Sequence, residues 1–108
     1  MDSYESGDLR KGVSIKTSFT LEGVVYPVPY VSKYNYPHTI VQRTNTNWPI
    51  LRYADVLLML AEAINEQTGV NGEAISYLNQ VRNRAGLQSL AMSDKAAFRT
   101  AVLNERRL

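Results

Sequence analysis

A chain of 108 residues holds one domain or a piece of one, and its hydrophobic fraction of 44% is ordinary for a globular protein. Charged residues of both signs leave a net charge of +2, too weak a field to imply a nucleic-acid partner. The absence of cysteine excludes disulfides, thiolate catalysis and Cys-based metal sites within these residues.

No stretch approaches the roughly 20 apolar residues of a membrane span. Asp2-Ser3-Tyr4-Glu5 has neither the basic start nor the apolar core of a signal peptide, so none is expected in the sequence.

Residues 1–50 read as a loop-rich segment with short strands. Val13, Ile15, Phe19 and Leu21 alternate with polar residues, which predicts one half-buried strand. Glu22-Gly23 is its turn. Val24 to Val31 contains Pro27 and Pro29, which lack the ladder N–H, so it is an edge strand or extended loop. A short strand is predicted over Thr39 to Arg43, and Asn45 to Pro49 is a loop by composition.

Residues 51–108 read as helical. The first helix is expected over about Leu51 to Gln67, stopping at Gly69. Ala54, Leu57, Leu58, Ala61 and Ile64 share one face, and Val56, Leu60 and Ala63 widen it. Asp55, Glu62 and Glu66 leave only a narrow polar stripe, so this helix is expected to be buried on most sides. A second helix, about Glu73 to Ala85, takes Asn71 as its N-cap and carries a stripe of Ala74, Leu78, Val81 and Ala85, with Gly86 as its stop. A third starts after Ser93 as cap, with Asp94 favoured by the helix dipole, and presents Phe98, Ala101 and Val102. The short link between the first two predicts an antiparallel hairpin of about one tetratricopeptide-like repeat, with no second copy. The fold class is therefore mainly α: a repeat-like antiparallel hairpin plus a third helix, preceded by the loop-rich segment.

Three blocks carry a family resemblance. They are Arg52 to Glu66 (RYADVLLMLAEAINE), then Ala74 with Leu78-Asn79 and Val81 to Leu87 (VRNRAGL), then Val102 to Arg107 (VLNERR). In this order and spacing they resemble the C-terminal helices of the SusD/RagB family, with Asp8-Leu9-Arg10 and Lys33-Tyr34 as weaker matches upstream. The resemblance implies a fragment of a surface-exposed, lipid-anchored outer-membrane protein of Gram-negative bacteria. Such a protein captures oligosaccharides or other nutrients and hands them to a TonB-dependent, SusC-like transporter. It implies a binding protein and not an enzyme, with no cofactor and no nucleic-acid partner, and it makes residues 51–108 the helical segment of a larger domain. The competing reading is a helical-repeat module that binds protein partners.

The residues offer little catalytic chemistry. His38 is the only histidine and has no partners at ligand spacing, which favours a surface or packing role. Gly69-Val70-Asn71-Gly72 lacks the Lys-Ser/Thr of a phosphate loop. Arg82 sits at the border of an apolar face, and Glu105 lies among Phe98, Ala101 and Val102. A buried carboxylate needs a partner, so Glu105 is expected to meet Arg82 first and Arg84 second, with Glu62 in a further structural ion pair. Interleaved acids argue against Arg82, Arg84, Arg106 and Arg107 as a nucleic-acid patch. The weak glycan-binding candidates are Trp48 and Tyr36, because an aromatic ring offers a plane for the C–H face of a sugar. The commoner role for Trp48, beside Pro49, is to staple the entry to the first helix. Tyr26, Tyr30, Tyr34 and Tyr36 more often cover a core than touch a ligand.

Overall fold

The computed structural model describes residues 3–33, 39, 40, 47 and 49–108. The expectations for Tyr34, Tyr36, His38 and Trp48, and most of the strand predicted over Thr39 to Arg43, fall outside them. The chain divides into two compact units: Met1–Asp8 with Pro49–Leu108, and Leu9–Trp48. The first residues belong to the same unit as the helices. They side with the helices because the Glu5 carboxylate reaches Arg82, at 2.7 Å and 3.0 Å.

The secondary structure runs α1 (Leu9–Ser14), β1 (Ile15–Lys16), β2 (Phe19–Leu21), β3 (Val24–Tyr26), β4 (Tyr30–Val31), α2 (Tyr53–Thr68), α3 (Gly72–Arg84) and α4 (Lys95–Arg107). The protein is mainly helical with a few short strands, as its periodicity predicts.

In the helical unit, α2 ends at Gly69, whose φ of 80° is accessible to glycine at little cost. Two residues later Asn71 caps α3, its side chain accepting from the Ala74 N–H at 2.9 Å. A link this short folds α3 back antiparallel to α2. α3 closes with a left-handed glycine: Leu87 N–H donates to the Arg82 carbonyl and Gly86 N–H to that of Asn83, both at 3.0 Å. Gly86 has φ 81°, and the following Leu87 is buried. The N-cap of α4 is Asp94, accepting from Ala97 N–H at 2.7 Å, and not Ser93. Asp94 wins because a carboxylate caps the free N–H groups and also complements the positive end of the helix dipole.

The core lies where the three helices meet, on Leu58, Ala61, Ala74, Leu78, Phe98 and Val102. Ala61, Ala74, Leu78, Phe98 and Val102 have no solvent exposure. The small Ala61 and Ala74 let α2 and α3 approach closely, and Phe98 of α4 fills the space beside them. The expectation that α2 is buried on most sides is corrected: Leu57, Leu58, Ala61 and Asn65 are buried, whereas Tyr53, Met59, Leu60 and Ala63 are exposed. α3 and α4 both pack against one side of it.

In the other unit, the single half-buried strand predicted from Val13 to Leu21 does not form. Val13 belongs to α1, Ile15–Lys16 pairs antiparallel with Tyr30–Val31, and Phe19–Leu21 forms a separate hairpin with Val24–Tyr26. The apparent alternation skips a position at Thr17, and the chain bends there and changes partner. Both strands of the hairpin are exposed. Its two-residue turn is Glu22 (φ 50°) and Gly23 (φ 81°), the positive pair that matches strand twist. Pro27 and Pro29 sit between β3 and β4, where no ladder N–H is needed.

Candidate functional site

The most constrained polar constellation in the described residues is centred on Arg82. Its place on the last turn of α3 carries the guanidinium under the loop that follows, toward α4. There Nε donates to the Gln88 carbonyl at 3.0 Å, Nη1 to Glu5 at 2.7 Å and to Glu105 Oε2 at 3.2 Å, and Nη2 to Glu5 Oε2 at 3.0 Å. Four of the five N–H groups of an arginine are thereby used. The Arg82 side chain is 5% exposed and that of Glu105 2%, whereas Glu5 is 57% exposed. The Glu5 carboxylate first, and Glu105 with it, raise the Arg82 pKa above its ordinary value against the opposing effect of burial. A guanidinium committed this fully ties the chain start, α3, its loop and α4 together and has little left for a ligand. Arg84, the second expected partner of Glu105, is exposed on the same turn.

The polar stripe of α2 faces α4. Arg106 bridges Asp55 at 3.2 Å and Glu62 at 3.0 Å. Arg99 grips both oxygens of Glu66 at 2.6 Å, and Lys95 donates to the Glu66 carbonyl at 2.7 Å, capping the end of α2. The Arg99 hydrogen bond is the main reason the Glu66 carboxyl is held below its ordinary pKa. These carboxylates are partnered by cations along a helix seam, which suits adhesion and not acid–base chemistry. Among the described residues no group of three or more His, Asp or Glu side chains has the arrangement of a metal site. No described helix is long and apolar enough to cross a membrane.

Two asparagine contacts escaped the sequence reading. Asn79 acts as a surrogate strand for the loop after α3, donating to the Leu90 carbonyl at 2.9 Å and accepting from its N–H at 2.8 Å. Asn65, fully inside, donates to the Lys95 carbonyl at 3.1 Å and so fixes the start of α4. The signal for Asn65 was visible: a polar amide at a core-facing position of α2 requires a partner.

The aromatic surface of the smaller unit was also missed. Phe19 and Tyr26 are cross-strand partners whose rings stack at 5.2 Å and 14°, and Tyr30 meets Phe19 edge-on at 6.3 Å. Each ring is about 40% exposed. Recognising Glu22-Gly23 as a two-residue turn fixes the register and would have paired Phe19 with Tyr26. Tyr26 and Tyr30 thus brace each other's neighbour on a surface and cover no core among the described residues. Trp48 and Tyr36, the glycan candidates, lie outside the described residues.

The model of the SusD family matches residues 13–108. The chain belongs to the SusD family. Two SusD-like proteins of Formosa agariphila are each 36% identical to it, over alignments of 107 and 87 residues covering 82% and 72% of this chain. A crystal structure of a SusD superfamily protein from Parabacteroides distasonis superposes with a TM-score of 0.82 at 29% identity, covering 97% of this chain. The chain spans only 21% and 17% of the two Formosa proteins and 26% of the Parabacteroides one. The chain is thus a segment about a sixth to a quarter of the length of those proteins.

Proposed function

We propose that this chain is part of a nutrient-binding SusD-type protein that captures oligosaccharides at the outer surface of a Gram-negative cell. In this reading the full polypeptide is lipid-anchored in the outer membrane and passes its ligand to a TonB-dependent transporter. It binds its ligand and performs no chemistry on it. The family match across residues 13–108 is the observation that carries the reading. The geometry agrees with it, because the charged groups that the sequence offered for acid–base work are engaged in seams between helices. Trp48 and Tyr36 are the proposed aromatic contacts to sugar, supplying flat apolar planes for its C–H faces.

The test is to purify the full polypeptide from outer membranes under mild detergent. Co-purification with a TonB-dependent transporter and retention of an oligosaccharide are expected. Trp48→Ala and Tyr36→Ala should weaken oligosaccharide binding while leaving the transporter association intact. A polypeptide found free in the cytoplasm, with no affinity for oligosaccharides, would sink the reading.

A further inference from the structure

The aromatic surface of the smaller unit carries a positive charge at one end. Lys16 is the cross-strand partner of Tyr30, and such partners project from the same face of an antiparallel pair. Tyr30 meets Phe19 edge-on, and Phe19 stacks on Tyr26. Lys16, Tyr30, Phe19 and Tyr26 thus form one continuous row, and all four are exposed. Two antiparallel pairings fix the backbone beneath the row, so its groups are in place before a ligand arrives. Tyr26 stacks on Phe19 with one face, and no other described ring covers the second. Among the described residues, the Tyr26 and Tyr30 hydroxyls and the Lys16 ammonium have no hydrogen-bond or ion-pair partner. Charge is segregated in the same sense. The unit Leu9–Trp48 holds Arg10, Lys11, Lys16, Lys33 and Arg43 against one acid, Glu22. Glu22 sits in the hairpin turn, at the far end of β2 from Phe19. Residues outside that unit hold more acids than bases, so the positive charge of the chain resides here.

We infer that this row is an accessory subsite for an oligosaccharide that carries negative charge, as a carboxylate or a sulfate ester on the sugar. The inference rests on the reading of the chain as part of an oligosaccharide-binding protein, and it names the class of sugar. The open face of Tyr26 receives the C–H face of a sugar ring, and the two phenols exchange hydrogen bonds with sugar hydroxyls. The Lys16 ammonium answers the acidic group. An apolar segment laid over the row would bury two hydroxyls and an ammonium without partners, which is costly. A neutral sugar would leave the ammonium unanswered. Four exposed side chains hold a sugar weakly by themselves. On an oligosaccharide already held elsewhere on the protein they act at a high effective concentration, so the subsite shows its effect in the whole polypeptide.

The test titrates the full polypeptide in low salt with an oligogalacturonate and with a sulfated galactan oligosaccharide. Each is set beside its neutral counterpart, carboxyl-reduced or desulfated. At least one acidic member should bind about fivefold more tightly than its counterpart, and which one does so separates carboxylate from sulfate. Lys16→Gln should abolish that preference and flatten the salt dependence while leaving the neutral sugar unaffected. Tyr26→Ala should weaken the acidic sugar about tenfold. Equal binding of acidic and neutral sugars, or a preference that survives Lys16→Gln, would overturn the inference and leave the family reading standing. Binding of no sugar at all would overturn both. Hydroxyl-radical footprinting gives a second reading without any substitution. Tyr26 and Tyr30 should be oxidised readily in the free full polypeptide and become protected when the acidic sugar is added. Protection already complete in the free polypeptide would mean that another segment covers the row. Protection that requires a transporter or other protein would assign the row to that partner. Either result would contradict the proposal.

Discussion

Arg82 and Glu105 form an ion pair at 3.2 Å with both side chains almost fully buried, one at the end of α3 and the other near the end of α4. Removing one partner of a buried pair strands the other charge in a medium that cannot solvate it. Glu105→Ala should therefore cost on the order of 3 kcal/mol, read from the urea midpoint. Arg82→Lys should cost a similar amount despite keeping the charge, because an ammonium cannot span Glu5, Glu105 and the Gln88 carbonyl at once. A change within about 0.5 kcal/mol for Glu105→Ala would place the pair among ordinary surface contacts.

Glu66 should titrate below the ordinary glutamate value of 4.5, because Arg99 stabilises its charged form. A carboxyl with a lowered folded-state pKa stabilises the fold above its unfolded value and loses that contribution as pH falls through the folded value. Contact between the end of α2 and the start of α4 should thus loosen only below about pH 4.5. Carboxyl-carbon NMR should show the Glu66 midpoint rising toward the ordinary value in Arg99→Gln, and partly so in molar salt. A midpoint unmoved by Arg99→Gln would rule out this pairing in solution.

Gly86 holds φ 81° at the stop of α3. Gly86→Ala forces a Cβ into the left-handed region and should cost about 1–2 kcal/mol. Asn71→Ala, which removes the cap on Ala74 N–H, should cost about 1 kcal/mol. Both are checked by thermal melts, and the two effects should add, since the sites lie at opposite ends of α3.

The helices were legible because their signals are local. Apolar spacing, Asn71, Gly69 and Gly86 each act within a turn or two, and they place α2, α3 and α4 to within a residue or two of the observed ends. The smaller unit was read poorly because its pairing is not local. Nothing near Ile15 says that its partner is Val31, sixteen residues on and past two prolines. The α2 face shows a further limit. Periodicity says that Leu60 and Ala63 are apolar, but burial depends on neighbours, and α3 and α4 occupy only one side. In the Arg82 constellation, helical angle put Arg82 at the border of one apolar face and Glu105 within another. Glu5 is distant in sequence and carries no pattern of its own.

Residues 1–108 expressed alone should self-associate. The exposed carbon of α2 and the unsupported strand faces carrying Leu21, Val24 and Val25 both favour contact over solvent. Sedimentation should show species larger than a monomer, growing with concentration. A sharp cooperative melt from a monomer would mean that these surfaces are satisfied within the chain.

The most direct test is a calorimetric titration of one panel of oligosaccharides into the full polypeptide and into residues 1–108, side by side. A sugar site must hold several aromatic and polar groups in place before the ligand arrives, or ordering costs consume the affinity. Binding of at least one oligosaccharide by the full polypeptide, and of none by residues 1–108, is the predicted result. A full polypeptide that binds no member of the panel, or a 108-residue chain that binds as tightly as the whole, would contradict the account.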